Sequence, residues 1–402
     1  MREAHVSSRA VYRLIIAISA TTATTLPVFL TGSLAVQIRH DLHFSIGDLG
    51  VIVAVYFGAA ALLSVLSGSL AERFGGELIM RLAVTVSALS LISVALFANS
   101  FWMLLFFLFF AGVSNGANQP AANIFVINAV PKERRGFGLG VKQAAIPLST
   151  LLAGLAVPTI ALTIGWRYAY AISALFAVVV AFAIPSLEHK KPDDITDKQV
   201  QERPRIAIAP ILTLSIAIGL GLSAANALGA FLVTNAVHAH FSPGDAGLLA
   251  SLGSASGLIS RIFGGYLADR RSGRHLVVIA AMLGIGALGY TAFALGDRSL
   301  IVLATVVSYA AGWGWNGVFN FAVVLTHPGA EGRATGTTQA GAYVGSVVGP
   351  LVFGWVVDHE SFAMAWTLCA LAALASALLM LLGRYLLLKQ RRNFVSILET
   401  LD

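Results

Sequence analysis

The sequence predicts an all-α integral membrane protein of 12 transmembrane helices, arranged as two parallel six-helix pseudo-repeats with both termini cytoplasmic. Three observations carry that prediction. Only 11% of the 402 residues are charged and 57% are hydrophobic, with a mean hydropathy of +0.82, whereas soluble chains carry roughly 25% charged residues. The apolar residues gather in runs of about 20, the length a helix needs to cross ~30 Å of hydrocarbon. A single sequence offset relates the two sides of one polar central segment.

In chain order the runs are 13–37, 46–70, 78–98, 102–128, 137–160 and 166–186, then 207–235, 244–268, 276–295, 300–326, 335–356 and 363–384. The first is long and lacks a small-x-small cleavage site, so it reads as a span and not as a signal peptide. Residues 187–206, through "LEHKKPDDITDKQVQERPR", are charged and nearly free of apolar side chains, which makes them a solvated linker. The expected organisation is therefore an N-terminal half (1–186), the linker, a C-terminal half (207–386) and a cytoplasmic tail (387–402). The stretch "RYLLLKQRRNFVSIL" is open to two readings: an amphipathic segment on the inner surface, or the solvated end of the last helix.

Twelve spans put both ends on one side. On that side fall 20 Lys/Arg, against three in the outer loops (Arg39, Arg167, Arg298), while Arg81, Lys142 and Arg261 fall within spans. The bias fixes the termini inside by the positive-inside rule. It also accounts for the net charge of +7, so no nucleic-acid partner is expected. The lone Cys369 lies in an apolar run and excludes a disulfide framework.

The repeat is direct. "FSIGDLG" (44–50) returns as "FSPGDAG" (241–247), and the same spacing of 197 links Gly68 with Gly265, Glu72 with Asp269, Arg73 with Arg270 and Pro131 with Pro328. Parallel halves about an axis along the membrane normal, with a site between them, are a transporter construction. "GSLAERFGG" (68–76) and "GGYLADRRSG" (264–273) resemble the two copies of the loop signature of the major facilitator superfamily. They depart from it at Glu72, where Asp is usual, at Gly76-Glu77, and in the extra residue before Gly273. The resemblance implies a secondary active transporter working by alternating access, with Gly68, Glu72, Arg73, Gly265, Asp269 and Arg270 serving the gate. Physically, the glycines permit tight turns, and the acid and arginine can hold charge-assisted contacts to neighbouring helix ends. The alternative is a plain capping turn with solvated charges.

The family fold implies that spans 1, 4, 7 and 10 surround a cavity, 2, 5, 8 and 11 flank it, and 3, 6, 9 and 12 face lipid. The amides follow that division. Asn115, Asn118, Gln119 and Asn123 lie in span 4, Gln143 in span 5, Asn226 in span 7, Asn316 and Asn320 in span 10 and Gln339 in span 11, with none deep in spans 3, 6, 9 or 12. Polar groups at membrane depth face the bundle interior or water. Asn115/Gln119 and Asn316/Asn320 are i, i+4 pairs, each on one helix face, within matching small-residue stretches, "AGVSNGANQP" and "AGWGWNGVFN". Span 1 adds Thr21, Thr22, Thr24, Thr25 and Thr31, and Trp313, Trp315 and Phe319 are candidate apolar walls. In span 11, "GAYVGSVVGP" repeats glycine every fourth residue, which lets a helix approach closely and is expected to weaken the span where it ends in Gly-Pro.

Lys142 and Arg261 are the cations at depth, one in each half, and all 19 acids and the nine histidines lie in loops, tails or span ends. Each cation has a structural reading, Lys142 snorkelling to the inner surface and Arg261 pairing with a helix end. Each also has a functional one: two cations without a deep acid call for a counter-ion, and arginine reads carboxylate geometry bidentately. The sequence therefore points to a small polar solute, an organic anion of carboxylate type, held by Lys142, Arg261 and the amides. A coupling proton or counter-anion is the expected further partner. A multidrug or lipophile exporter and a neutral sugar or nucleoside carrier are the alternatives. An enzyme needs a nucleophile–base pair or metal ligands at depth, which the sequence does not place there; no cofactor and no metal are expected. The expected setting is the lipid bilayer of a bacterial inner membrane, multi-pass and monomeric, since the loops are short and no N-x-S/T sequon occurs.

Overall fold

The computed structural model describes residues 8–130, 135–185, 208–270, 274–327 and 330–399. The expected linker, 187–206, lies outside the described residues. Eleven of the described helices are long and apolar enough to cross a membrane. Span 10 is the twelfth: it runs as Arg298–Val307, a π-helical stretch Ser308–Trp313 and Asn316–Thr326. Its interruption is why no single helix of full length stands there.

The small-residue stretches of spans 4 and 10 do not behave alike. Span 4 is one helix, Phe101–Ala129, with Pro120 inside it, and span 11 is likewise unbroken across Pro350, from Glu331 to His359. The breaks fall instead in spans 10 and 5. Span 5 is divided into Arg135–Gln143 and Ala145–Ala156, followed by a π-helical Val157–Ala161. The basic stretch after span 12 prolongs it as one helix, Phe362–Glu399.

Proline inside a span removes an N–H and leaves the carbonyl four residues earlier without its helical partner. In hydrocarbon that carbonyl must find another donor. Opposite Pro27, Ser87 Oγ donates to the Ala23 carbonyl at 2.8 Å. Opposite Pro120, Ser67 Oγ donates to the Gly116 carbonyl at 3.1 Å. Each serine comes from a neighbouring helix of the same half, so these bonds hold the half together while repairing the helix.

The duplicated heptapeptide has a structural cause. Ser45 and Asp48 form a capping box at the start of span 2 (Ile46–Phe74); at the start of span 8 (Pro243–Arg270) the Asp245 N–H likewise donates to Ser242 Oγ, and that hydroxyl donates to the Asp245 carboxylate. The last glycine of each copy then meets the opposite half. A Cβ on Gly50 would collide with the Pro350 carbonyl oxygen of span 11, and one on Gly247 would lie 2.7 Å from the Gly154 carbonyl oxygen of span 5. Gly32 of span 1 similarly rests on the backbone of Ala230 in span 7, and residues 20–35 and 224–236 are continuously buried.

The halves therefore close on each other along three helix pairs at the end away from the termini. Toward the terminal side the fit is looser at three glycines: a Cβ at Gly68, Gly140 or Gly336 would meet nothing within 4 Å. The glycine stripe of span 11 serves its own half, with Gly341, Gly345 and Gly349 laid on the carbonyls of Ser215, Gly219 and Ser223 in span 7 (Ile208–His238).

Candidate functional site

The site lies where spans 5 and 8 run antiparallel between the halves. From the closed end inward, Ser251 Oγ donates to the Leu151 carbonyl (3.2 Å), Ser254 Oγ donates to Thr150 Oγ1 (2.7 Å), and Arg261 Nη1 donates to the Gln143 carbonyl (2.9 Å).

Lys142 does not snorkel. It is fully buried, and its Nζ donates to Gln119 Oε1 at 2.6 Å, Asn123 Oδ1 at 3.0 Å and the Gln119 carbonyl at 3.4 Å. An ammonium has three N–H donors and no acceptor, so span 4 supplies a complete set of neutral oxygens. No carboxylate neutralises it among the described residues, where the ion pairs are His40–Asp41 and Arg167–Asp41.

Arg261 is held differently. Its stem passes over Gly317, where a Cβ would come within 3.3 Å of Arg261 Cγ. The guanidinium lies 5.9 Å from the centre of the Trp313 ring. Nη2 donates to the Trp313 carbonyl at 3.4 Å. Of an arginine's five donors, two are thus given to backbone carbonyls, and both acceptors end a helical segment. The helix-end contact expected as a structural role is therefore present, yet most of the donor capacity stays uncommitted.

Above this point Trp313 meets Phe29 of span 1 edge-on, with centroids 5.6 Å apart, and Gly229 of span 7 leaves room for both rings. This aromatic contact roofs the site on the closed side. Trp315 turns the other way, with its Nε1 on the Gly312 carbonyl (2.7 Å) and its ring against Gly221. It packs edge-on against Phe319, and both rings are fully buried.

The amides divide into three groups. Asn115 and Asn118 donate to Thr25 Oγ1 (3.0 Å) and Thr21 Oγ1 (3.3 Å), tying span 4 to span 1. Asn226 donates to the Leu222 carbonyl and to Ser346 Oγ, tying span 7 to span 11. Gln119 and Asn123 hold Lys142. Gln143 has its Oε1 buried with no protein partner, as does Asn118 with its Oδ1. Asn316 and Asn320 are half-buried on the last segment of span 10, and Gln339 is exposed on span 11. What sequence reasoning missed are two backbone carbonyls, those of Gln143 and Trp313, and one side chain, the ring of Phe29. Pro147 was the available signal for the first.

At the terminal side, Gly75 (φ +92°) is the single residue joining the helices of spans 2 and 3, a conformation that favours glycine. Glu72 and Arg73 are exposed, with Arg73 over the Phe74 ring at 5.2 Å. Gly265, Asp269 and Arg270 lie on the last turns of span 8, and their side chains are outside the described residues.

The model of the Major Facilitator Superfamily matches residues 14–237 and 211–396. The chain is 27% identical over 340 residues to the probable nitrate/nitrite transporter NarK2 of Mycobacterium tuberculosis, covering 82% of this chain and 85% of that one. It is 26% identical over 364 residues to the nitrite extrusion protein of Bacillus subtilis, covering 88% and 89%. Among solved structures, a D-xylose–proton symporter superposes with a TM-score of 0.75 at 16% identity, over 93% of this chain and 97% of that one, a likeness of fold. With the two six-span repeats and the matched residues spanning both halves, the chain belongs to the Major Facilitator Superfamily, a multi-pass membrane transporter and not an enzyme.

Proposed function

We infer that the protein transports a small oxyanion, a carboxylate or an inorganic anion of similar planar geometry, and that Arg261 is its principal ligand. The observation that carries this reading is a buried guanidinium between the halves, with no acid partner among the described residues and only two of its donors committed. A buried charge without a counter-ion is costly, and an anion on the remaining N–H groups offsets that cost. The relatives named for nitrate and nitrite handle anions of this shape, which supports the same reading. Lys142, hydrogen-bonded to Gln119 and Asn123, stands beside the site on the N-terminal half. Gln143, Asn316, Asn320 and Gln339 are the amides we assign to the rest of the solute, whereas Asn115 and Asn226 serve mainly as links between helices.

The remaining organisation follows. Two six-helix halves joined by the 187–206 linker rock about the anion. Gly68, Glu72, Arg73, Gly265, Asp269 and Arg270 close the terminal side when the opposite side opens. With no carboxylate at depth in the spans, coupling proceeds by anion exchange or by entry of a proton with the anion. The setting is a bacterial inner membrane and the working unit a monomer.

The test is a thermal-shift screen of purified protein with nitrate, nitrite and small carboxylates, followed by anion counterflow in proteoliposomes. At least one anion is expected to stabilise the protein and to exchange, and Arg261→Gln to lose both effects while staying folded. Full counterflow by Arg261→Gln would refute the reading, as would efflux of cationic dyes with no response to any anion.

A further inference from the structure

Residue 147 is a proline, so the carbonyl of Gln143 four residues earlier has no helical N–H to accept. Span 5 breaks at Ala144, whose own N–H turns back to Val141. A freed carbonyl in a buried seam needs a donor, and among the described residues three prolines show a side chain meeting this need. At Pro27 and Pro120 the donor is a serine of the same half. At Pro147 it is the cation Arg261, and it comes from the other half.

The second acceptor of Arg261 is also a freed carbonyl. Where span 10 passes from π-helix to α-helix, the Gly317 N–H bonds Gly314, so the Trp313 carbonyl is left to Arg261 Nη2. One guanidinium therefore ties a break in the N-terminal half to a break in the C-terminal half. Farther out, the same two helices are joined by Ser251 and Ser254, neutral contacts with no charge to exchange.

We propose that Pro147 is a positioning residue: by freeing the Gln143 carbonyl it gives Arg261 a resting partner that latches spans 5 and 8 together, and an anion competes with that carbonyl for the guanidinium. The latch itself follows from the backbone geometry; the competition rests on the reading of Arg261 as the anion ligand. Anion arrival then unties the halves at this level, which links occupancy of the site to movement of one half against the other. The strength of the latch also sets the apparent affinity, because part of each anion's binding energy goes into displacing a charge-assisted bond.

Pro147→Ala returns an N–H to the Gln143 carbonyl and draws it back into span 5. Spin labels at Gly140→Cys, where a side chain meets open space, and at the exposed Ile262→Cys report the gap, in a Cys369→Ser background. In anion-free protein, Pro147→Ala and Arg261→Gln are each expected to lengthen the distance between labels. Pro147→Ala is expected to add nothing in the Arg261→Gln background. Pro158→Ala, remote from Arg261, is the control and is expected to leave the distance unchanged. In titrations with nitrate or the best anion of the screen, Pro147→Ala is expected to bind roughly tenfold more tightly, the equivalent of one hydrogen bond to a charged group. Pro147→Gly restores the same N–H and replaces the alanine variant should that one fail to fold. An unchanged distance in a folded Pro147 variant overturns the latch, and so does a change that persists without Arg261. A working latch in a protein that no anion stabilises sinks the anion reading and leaves the latch standing.

Discussion

Gly247→Ala places one methyl group in the closed seam between the halves, and its consequence can be worked from distances. The new Cβ would lie 2.6 Å from Val157 Cβ and 2.7 Å from the Gly154 carbonyl oxygen, both on the opposite half. Ordinary contact begins near 3.4 Å, so the seam must part by about 0.8 Å, and the obstructing groups sit on backbone that cannot rotate away. Overpacking of this kind costs about 1–3 kcal/mol. Because the clash is with the other half, the cost falls on the arrangement that is closed at this end. The gain of about 1 kcal/mol in helix propensity is common to both arrangements and cancels. The population open at this end should rise roughly five- to 150-fold. The assay is labelling of Ser251→Cys by a membrane-impermeant maleimide from outside, in a Cys369→Ser background, since Ser251 is buried in this seam. Gly50→Ala, the equivalent change against Pro350, should act in the same direction. Gly284→Ala, which meets open space, should not. Unchanged labelling in a folded Gly247→Ala protein would refute the reasoning.

Gln119→Leu removes the shortest acceptor of the buried Lys142 ammonium and should destabilise the protein by about 1.5–3 kcal/mol; an unchanged melting temperature in detergent would contradict the cage. Gly68→Ala meets nothing within 4 Å in the present arrangement, so melting should be unchanged while counterflow slows, if its role belongs to the arrangement closed on the terminal side. Asp41, on the face opposite the termini, accepts the Trp166 indole N–H at 2.7 Å, and this bond foremost holds its carboxyl below the ordinary range, with His40 and Arg167 adding to the effect. A lowered folded-state value means the carboxylate contributes stability above its unfolded value of ~3.9 and loses it as pH falls through the folded value. Asp41→Asn should therefore flatten the acid side of the melting profile below about pH 4 by lowering the melting temperature at neutral pH, and only slightly, because the side chain is partly exposed. An unaltered acid limb would remove Asp41 from the account.

The fold was legible because its causes are local and repeated. Span length, the basic bias of one face and the 197-residue offset each act through composition or spacing, which a sequence displays directly. The heptapeptide around Gly47 and Gly244 shows how much further this extends: its serine and aspartate cap a helix, and its last glycine admits the opposite half. The site was legible in its cations and not in their partners. Lys142 could be located by depth, but its burial depends on Gln119 and Asn123 arriving from another helix. The carbonyls that hold Arg261 are invisible to any reading of side chains, because every residue has one and only the helix breaks make these two available. The breaks were legible in part: the small-residue stretch of span 10 does interrupt its helix, whereas span 4 stays one helix and span 11, expected to weaken at its Gly-Pro, stays continuous with span 7 packed against its glycine stripe.

Arg261, on an unbroken helix, meets the ends of two broken ones for an electrostatic reason. A membrane interior does not tolerate an unaccompanied charge, and a permanent carboxylate partner at Arg261 would occupy the donors an anion needs. The carbonyl end of a helix carries about half a negative charge, enough to steady a guanidinium and too little to hold it against a full anion. Span 5 ends its first segment at Gln143, and span 10 ends its π-helical stretch at Trp313, which brings two such ends to one arginine. Lys142 belongs to the same first segment but gives its donors to side-chain amides of its own half. In the proposed mechanism the exchangeable charge is the one whose resting partners lie on both sides of the seam, and only Arg261 of the two cations has such partners.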